Sequence, residues 1–420
     1  MMFFLWAIVS ILHISLACAA HHKHRHRALA QSPTVSSSTV TSGVAVANPT
    51  NSGSSVPIEI GIDGYATPTT LFEQNTDVRS PIGIIEIGSP GQTIDVQFDT
   101  TFDGVLVRSA REDTTDTDNS LVYNSSDSES WSYYIPGSSP ENTYTQTLED
   151  DAYAIALAGI ETFNIGGKLY SNIAFGQFEE YYQNTSGQAI PFGGTSGSIG
   201  LNYNSMQQPG FPSFMSAMKY QLAEWKCTLD SSRKWKNGTW TFGSLEGMDP
   251  RSDIAWADRN VAQPTWSVNL TAISAGSRKN PPISTWSATV STVEQSLVWP
   301  QKLLDWYFTG IDSTWSAFDN TYRYPCNTSL PDFTFGMGNG TFTIPGTYMP
   351  YQRDPTSTTC ISIITGDNST DPSHEYTFGS WWAQLGVLIL DYEHSQVGFM
   401  NKSTPLPEFT TAALDIIAMN

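Results

Sequence analysis

The chain contains one strand-turn-strand pattern twice, and only the first copy has an aspartate at its turn. In the first copy, residues 94–107, two apolar runs flank the turn Asp-Thr-Thr at residues 99–101. In the second copy, residues 288–300, the corresponding turn reads Ser-Thr-Val at residues 291–293. The second copy of the pattern has therefore lost its acid.

The remainder of the chain favours an all-β fold. After residue 56, short runs of β-branched and aromatic residues alternate with Gly, Pro, Asn and Asp, which is typical of strands joined by turns. Two segments, residues 212–219 and 300–307, begin with proline and have apolar residues at helical spacing, so we expect short helices there. The chain is long enough to form two hydrophobic cores of ordinary size.

The two turns resemble the paired active-site loops of the pepsin-like aspartic peptidases, where each lobe contributes hydrophobic-hydrophobic-Asp-Thr-Gly followed by Ser or Thr. Asp99 occupies the first aspartate position and Ser291 the second. Further matches follow in the family's order at residues 84–92, 197–201, 241–245, 376–382, 387–393 and 397–399. The resemblance covers nearly the whole chain after about residue 80. It implies an all-β, bilobal pepsin-like fold with a central cleft and a few short helices.

The missing acid bears directly on catalysis. Aspartic peptidases hold two carboxyls so close together that one acts as a base toward water while the other, protonated, polarises the scissile carbonyl. A hydroxyl at Ser291 donates a hydrogen bond but does not exchange a proton with Asp99 at working pH. General acid-base assistance is worth about 10² to 10⁴ in rate. Ordinary peptide hydrolysis is therefore expected to be lost.

Other positions also depart from the family pattern. Thr101 and Val293 replace the loop glycines, and Phe102 replaces a serine that normally bonds the first aspartate. The flap is expected at residues 148–152, where the family's Tyr-Gly is absent. The candidate cleft and flap residues are Thr100, Thr101, Leu148, Glu149, Thr292 and Glu294.

Three functions remain open at this stage. In the first, the cleft of an inactive homologue binds a peptide or protein by strand-like pairing. In the second, an active endopeptidase uses Asp99 with another carboxylate such as Glu294, Asp103 or an acid at residues 149–151. In the third, the chain is a cell-surface structural glycoprotein. A Ser291 nucleophile would need a base, and the histidines past residue 27, His374 and His394, lie in polar, loop-like contexts.

Composition also divides the chain into segments. Residues 1–20 are predicted to be a signal peptide, because an apolar run ends in small residues. Residues 21–55, a basic His/Arg tract and a Ser/Thr-rich stem, are expected to be disordered. An N-terminal lobe is predicted for residues 56–248, a C-terminal lobe for 249–405 and a tail for 406–420. No transmembrane segment is expected, and the protein should be secreted, extracellular or cell-wall associated.

Cysteines and sequons fit such a protein. The resemblance implies a second-lobe disulfide between Cys326 and Cys360, and Cys227 is then expected to be a buried free thiol. N-x-Ser/Thr triplets predict glycosylation in the secretory pathway. They occur at Asn124, Asn184, Asn237, Asn269, Asn327, Asn339, Asn368 and Asn401.

Charge and motif content restrict the partners. A formal net charge of −20 repels phosphate backbones and anionic membrane surfaces, so nucleic acid is not expected as a partner. No Cys/His spacing indicates zinc, and no glycine-rich phosphate loop follows a strand. The sequence therefore predicts no metal, no cofactor and a monomer whose partner is a peptide or protein.

Overall fold

The computed structural model of the chain describes residues 54–60, 81–110, 121–134, 143–147, 153–182, 195–203, 212–232, 237–245, 254–294, 296–351, 357–369, 374–383 and 385–401. Several predictions concern residues outside these ranges: the signal peptide, most of the stem, the flap tip, the lobe boundary near residue 248, Asn184 and the C-terminal tail. In the described ranges, no helix has the length and apolarity needed to span a bilayer.

The first lobe consists of strands with one short helix. Its strands are β1 (Ser54–Ile60), β2 (Pro81–Ile87), β3 (Gln92–Asp99), β4 (Val105–Arg108), β5 (Ser132–Tyr133), β6 (Thr143–Thr147), β7 (Tyr153–Ile165), β8 (Lys168–Tyr182), β9 (Gly197–Gly200), β10 (Lys226–Ser232) and β11 (Asn237–Phe242). Helix α1 spans Phe214–Met218, and 3₁₀ turns span Ser125–Asp127 and Lys219–Gln221. Strand β1 begins slightly before residue 56, the predicted start of this lobe.

The second lobe has the same character. Its strands are β12 (Ile254–Asp258), β13 (Ser267–Ala275), β14 (Trp286–Val290), β15 (Leu297–Pro300), β16 (Thr314–Ser316), β17 (Thr321–Pro325), β18 (Phe333–Met337), β19 (Gly340–Ile344), β20 (Pro350–Tyr351), β21 (Thr359–Ser362), β22 (Ile364–Asp367), β23 (Tyr376–Phe378), β24 (Gly386–Asp391) and β25 (Gln396–Asn401). Helices α2 (Gln301–Phe308) and α3 (Ser380–Ala383) and a 3₁₀ turn (Gly346–Tyr348) complete it. The prediction of an all-β fold with a few short helices is confirmed.

Both predicted helices form next to their proline, and the first of them also has a side-chain cap. The Ser213 side chain accepts a hydrogen bond from the Ser216 amide at 3.3 Å and so caps α1. Helix α2 begins directly after Pro300. Each helix buries an apolar face against its lobe, which explains why segments this short are stable.

The two lobes repeat one unusual strand arrangement. In the first lobe β9 lies between β3 and β4, parallel to β3 and antiparallel to β4. In the second lobe β23 lies between β14 and β15, parallel to β14 and antiparallel to β15. The turn after β3 carries Asp99, and the turn after β14 carries Ser291. The sequence repeat is therefore also a structural repeat.

A hydrogen-bonded sheet joins the lobes. Strands β12, β25, β24, β10, β11 and β1 are neighbours in that order. Strand β10 of the first lobe pairs with β24 of the second, from Lys226 opposite Asp391 to Asp230 opposite Val387. The lobes thus share backbone hydrogen bonds as well as side-chain contacts.

An aromatic cluster, which we call the junction cluster, packs beside this sheet and consists of Tyr203, Trp266 and Tyr392. The Trp266 indole donates to the Leu201 carbonyl at 2.7 Å and meets the Tyr392 ring edge-on at 4.8 Å between centroids. Tyr203 stacks on Tyr392, and the Arg259 guanidinium lies 4.2 Å from the centroid of the Tyr203 ring. The cluster connects residues from both lobes.

The cysteines behave as predicted. Cys326 and Cys360 form a disulfide in the second lobe, which confirms that pairing. Cys227 is a buried free cysteine on β10. Burial raises the pKa of its thiol, against a hydrogen bond with Tyr392 that lowers it. Because the thiolate is the reactive form, Cys227 is an inert packing residue.

Candidate active site

The strand repeat identifies the position that matches Asp99. In each lobe the inserted strand places one residue between the two strands that flank the turn. In the first lobe, Ile199 pairs with Phe98 on one side and with Val105 on the other. In the second lobe, Phe378 pairs with Val290 and with Leu297 in the same way. Asp99 follows the first of these strand residues in its lobe, and Ser291 follows the corresponding residue in the other. Asp99 and Ser291 therefore lie at the same place relative to the paired strands of their lobes.

Reciprocal hydrogen bonds tie the two turns together through Thr100 and Thr292. The Thr100 hydroxyl donates to the Val290 carbonyl at 2.7 Å, and the Thr292 hydroxyl donates to the Phe98 carbonyl at 2.7 Å. The Thr100 amide donates to the Thr292 hydroxyl at 3.2 Å, and the Thr292 amide donates to the Thr100 hydroxyl at 3.1 Å. Both threonines are fully buried. They act as scaffold residues that bring the turns of Asp99 and Ser291 together.

Asp99 keeps a well-defined environment in its turn. Its Oδ1 accepts from the Thr101 amide at 2.7 Å and from the Thr101 hydroxyl at 2.6 Å. The carboxyl is buried, and burial raises its pKa above the ordinary 3.8, against hydrogen bonds from Thr101 and Phe102 that lower it. Thr101, which replaces a loop glycine in the resemblance, is thus a direct partner of the retained acid.

Ser291 has a simpler set of contacts. Its amide donates to the Phe378 carbonyl at 3.1 Å, and its hydroxyl oxygen accepts from the Glu294 amide at 2.9 Å. The corresponding donor to Asp99 is the backbone amide of Phe102. The side chain is buried, with 3% of its surface exposed. The second turn therefore preserves the backbone scaffold of the first and presents a hydroxyl in place of a carboxyl.

The side chain of Glu294 is exposed at the end of this turn. Its Oε1 accepts from the Ser296 hydroxyl at 2.7 Å, and its carbonyl accepts from the Ser380 amide at 2.8 Å. Asp103, another candidate for a substitute carboxylate, is buried beyond Phe102 in the first turn. The carboxylate of Glu294 is bonded to Ser296 and not to the Ser291 hydroxyl.

Phe102 forms an apolar patch beside Asp99. Its ring and that of Tyr144 pack on a small cluster separate from the main core. The cluster consists of Leu106, Ala154, Ala156 and Phe178. Tyr144 lies close over Gly176, where an added Cβ would come within 2.3 Å of its hydroxyl oxygen. Sequence reasoning missed Tyr144, because its partners lie on three other strands.

The predicted flap lies at the tip of a described hairpin. Strands β6 and β7 are antiparallel, and their ladder runs from Thr143 opposite Leu157 to Thr147 opposite Tyr153. Leu148 and Glu149 belong to the connection between these strands and lie outside the described residues. Their role in a flap stays a prediction.

The second-lobe side is polar where the first-lobe side is apolar. On β14, Ser287, Thr289 and Ser291 alternate along one face, while Trp286, Ala288 and Val290 enter the core. The Ser267 and Ser287 hydroxyl oxygens lie 2.7 Å apart. Beside them, Glu375 accepts hydrogen bonds from Thr265 and Thr289. No local signal in the sequence pointed to Glu375, which precedes β23.

His374 and His394 each pair with an aspartate that lies outside the two turns. His374 Nε2 lies 2.9 Å from Asp367, and His394 Nδ1 lies 2.9 Å from Asp391. The Ser291 hydroxyl bonds an amide instead, so no base is positioned to activate it in the part of the chain that the structure describes. Among those residues, no group of three or more His, Cys, Asp or Glu is arranged to hold a metal ion.

Two β lobes with matching turns at their junction are the architecture of the pepsin-like aspartic peptidase class. The model of the eukaryotic aspartyl protease family matches residues 81–402, and the chain belongs to this family.

Curated relatives agree with this assignment. Endothiapepsin of Cryphonectria parasitica is 25% identical over 336 residues, covering 79% of this chain and 73% of the relative. Podosporapepsin of Podospora anserina is 25% identical over 319 residues, 74% of this chain and 68% of the relative. Penicillopepsin-1 of Penicillium janthinellum is 22% identical over 314 residues, 74% of this chain and 91% of the relative.

The buried Asp99 predicts a pH-dependent stability. Because its pKa is raised on folding, the folded state binds the proton more tightly than the unfolded state does. The contribution of Asp99 to stability is therefore greatest below the unfolded pKa and falls as pH rises above 3.8 toward the folded pKa. We expect Asp99→Asn to be more stable than wild type at pH 7, with the difference shrinking toward pH 3.5. Urea unfolding at pH 3.5, 5 and 7 measures this, and a pH-independent difference would contradict it.

Proposed function

We propose that this protein is a secreted, catalytically inactive homologue of the aspartic peptidases that binds a peptide or protein in the cleft between its lobes. The observation that carries the proposal is the position of Ser291, which follows Val290 on its strand as Asp99 follows Phe98. The reciprocal hydrogen bonds of Thr100 and Thr292 join the two turns. The scaffold for a pair of acids is complete, whereas one acid of the pair is replaced.

The chemistry of the pair explains why hydrolysis is lost in this proposal. Two neighbouring carboxyls share a proton, so that one is a base while the other is an acid. The Ser291 hydroxyl has no accessible ionisation that would let it take the second role. Because the pKa of Asp99 is raised, a smaller fraction of this carboxyl is ionised at a given pH. A single acid in this scaffold polarises or binds a ligand without activating water as the pair does.

Peptide binding is supported by the surfaces on either side of the turns. On the first-lobe side, Phe102 and Tyr144 offer partly exposed aromatic rings. On the second-lobe side, the partly exposed side chain of Glu375 lies next to the buried side chain of Thr289, two residues before Ser291. An extended peptide alternates its side chains between two faces, so it meets both surfaces at once.

The rival enzymatic function uses Glu294 as the second acid. The exposed position of Glu294 and its bond to Ser296 give this rival no support. The structural glycoprotein function draws on the sequons, because the side chains of Asn269, Asn327 and Asn368 are exposed. Glycosylation at these sites is equally compatible with a secreted binding protein, which we therefore favour.

The proposal is tested by incubating the purified, secreted protein with a quenched fluorescent peptide library from pH 3 to 7. We expect wild type and Asp99→Asn to give the same background signal, because one carboxyl does not replace the pair. Endothiapepsin of Cryphonectria parasitica, one of the relatives above, is run beside it as the positive control for the library.

The opposite result is equally informative. Turnover by wild type that disappears in Asp99→Asn would mean that another acid has been recruited, and the inactive assignment would fail. Loss of that turnover in Glu294→Gln as well would establish the endopeptidase alternative. Circular dichroism of each variant shows that a missing signal does not come from an unfolded sample.

A further inference from the structure

One carboxylate next to the second turn has neutral partners only. Glu375 immediately precedes β23, and its Oε2 accepts from the Thr265 hydroxyl at 3.0 Å and the Thr289 hydroxyl at 2.9 Å. Its Oε1 lies below the surface without a hydrogen-bond partner in the described residues. No Lys or Arg side chain of those residues forms an ion pair with it. Glu375 thus has no direct ion-pair partner among the described residues, and the Arg259 guanidinium contacts the carbonyl of its partner Thr265 at 3.4 Å.

Glu375 lies close to the site of the missing acid. Its partner Thr289 precedes Ser291 by two residues along β14, so both side chains lie on the same face of the strand, about 7 Å apart. Ser291 continues the strand pairing, because its amide donates to the Phe378 carbonyl of β23. The same strand follows directly from Glu375. The carboxylate therefore belongs to the polar surface that a ligand beside Ser291 would contact.

The side chain of Glu375 is partly exposed, although its Oε1 lies below the surface, so a ligand donor reaches this oxygen when a small side-chain shift opens it. Two threonine hydroxyls fix its orientation but supply no positive charge, and a carboxylate forms its strongest hydrogen bonds with a charged donor. A lysine ammonium or arginine guanidinium supplies both the charge and the missing donors. The net charge of −20 also raises the local concentration of cationic ligands.

We propose that Glu375 is the specificity-determining residue of the cleft and selects peptides that place a lysine or arginine side chain on the Ser291 side. This inference rests on the proposed function, since it names the class of ligand that the same cleft takes. The apolar patch of Phe102 and Tyr144 occupies the other side, so the cationic residue of the ligand has one preferred register.

The test uses the intact secreted protein and a fluorescent peptide library scanned position by position with lysine, arginine and norleucine. Norleucine keeps most of the lysine side-chain length and removes its charge. We expect wild type to bind lysine or arginine at one position about tenfold more tightly than norleucine. The preference should decrease with added salt, as expected for a charge pair near the surface.

Variants assign the preference to one residue. Glu375→Gln should abolish the preference for lysine or arginine over norleucine. Glu393→Gln is the matched control, since Glu393 is an exposed acid on the turn between β24 and β25; it should retain the preference. Glu375→Asp keeps the charge on a shorter side chain and should retain part of it, which separates loss of charge from local misfolding.

The outcomes distinguish this inference from the proposed function. Wild type that binds peptides without favouring a cationic residue overturns the role of Glu375 and leaves peptide binding intact. A preference that persists in Glu375→Gln does the same. Folded wild type that binds none of the peptides overturns the proposed function, and the inference with it.

Discussion

Replacing Trp266 with alanine is expected to lower the free energy of unfolding by about 3–5 kcal/mol, the range for removing a buried tryptophan or phenylalanine. The indole is fully buried, meets the Tyr392 ring edge-on and donates to the Leu201 carbonyl of the other lobe. The alanine variant leaves a cavity in the junction cluster and removes one of two donors to the Leu201 carbonyl, which also accepts from the Tyr392 hydroxyl. Urea unfolding followed by circular dichroism measures the loss.

Two controls separate the contributions. Trp266→Phe keeps an aromatic ring but removes the indole donor. Because the Tyr392 hydroxyl still donates to the Leu201 carbonyl, this variant should cost only about 0.5–1.5 kcal/mol. Tyr220→Ala removes an aromatic ring that is 85% exposed and should change stability by less than about 0.5 kcal/mol. A Trp266→Ala loss no larger than that of Tyr220→Ala would show that the junction cluster does not hold the lobes together.

Replacing Thr292 with valine, which has nearly the same shape, is expected to cost about 2–4 kcal/mol. The hydroxyl donates to the Phe98 carbonyl and accepts from the Thr100 amide, and both backbone groups lose their partner in a buried site. Each unsatisfied buried group costs about 1–3 kcal/mol. Thermal and urea unfolding of the purified variant check the value.

The reciprocal geometry makes the effect of Thr292→Val non-additive with that of Thr100→Val. Once one threonine is gone, the other has already lost part of its bonding, so the double variant should cost less than the sum of the two single ones. Thr341→Val on β19 is the matched control, because Thr341 is exposed and its substitution should be nearly neutral. Strict additivity would contradict the hydrogen-bond pairing of the two turns.

The repeat of the two turns was readable in the sequence because its signal is local. The same number of residues separates Phe98 from Val105 and Val290 from Leu297, so both copies build the same strand arrangement. The starts of α1 and α2 were equally local, since a proline precedes each helix. The Cys326–Cys360 disulfide came from the family resemblance, because spacing alone does not fix a pairing.

The side-chain contacts around the two turns could not be predicted from the sequence in the same way. Tyr144 reaches Phe102, and Glu375 reaches Thr289, only after strands far apart in the chain have paired. The direction of the Glu294 side chain depends on its contact with Ser296, which the turn sequence does not specify. Composition and periodicity report which residues enter a core, but they do not report which side chains share the edge of a cleft.

The sheet that joins the lobes has a consequence for how the chain folds. Strand β1 pairs with β11, β10 pairs with β24, and β12 pairs with β25, so strands distant in sequence must meet. Contacts of this kind are entropically costly to close and make folding slow. During synthesis β10 keeps an open edge until β24 has been made, near the end of the described chain. An unpaired edge invites association with other chains, so the nascent protein is open to aggregation along β10 until β24 has emerged and paired with it.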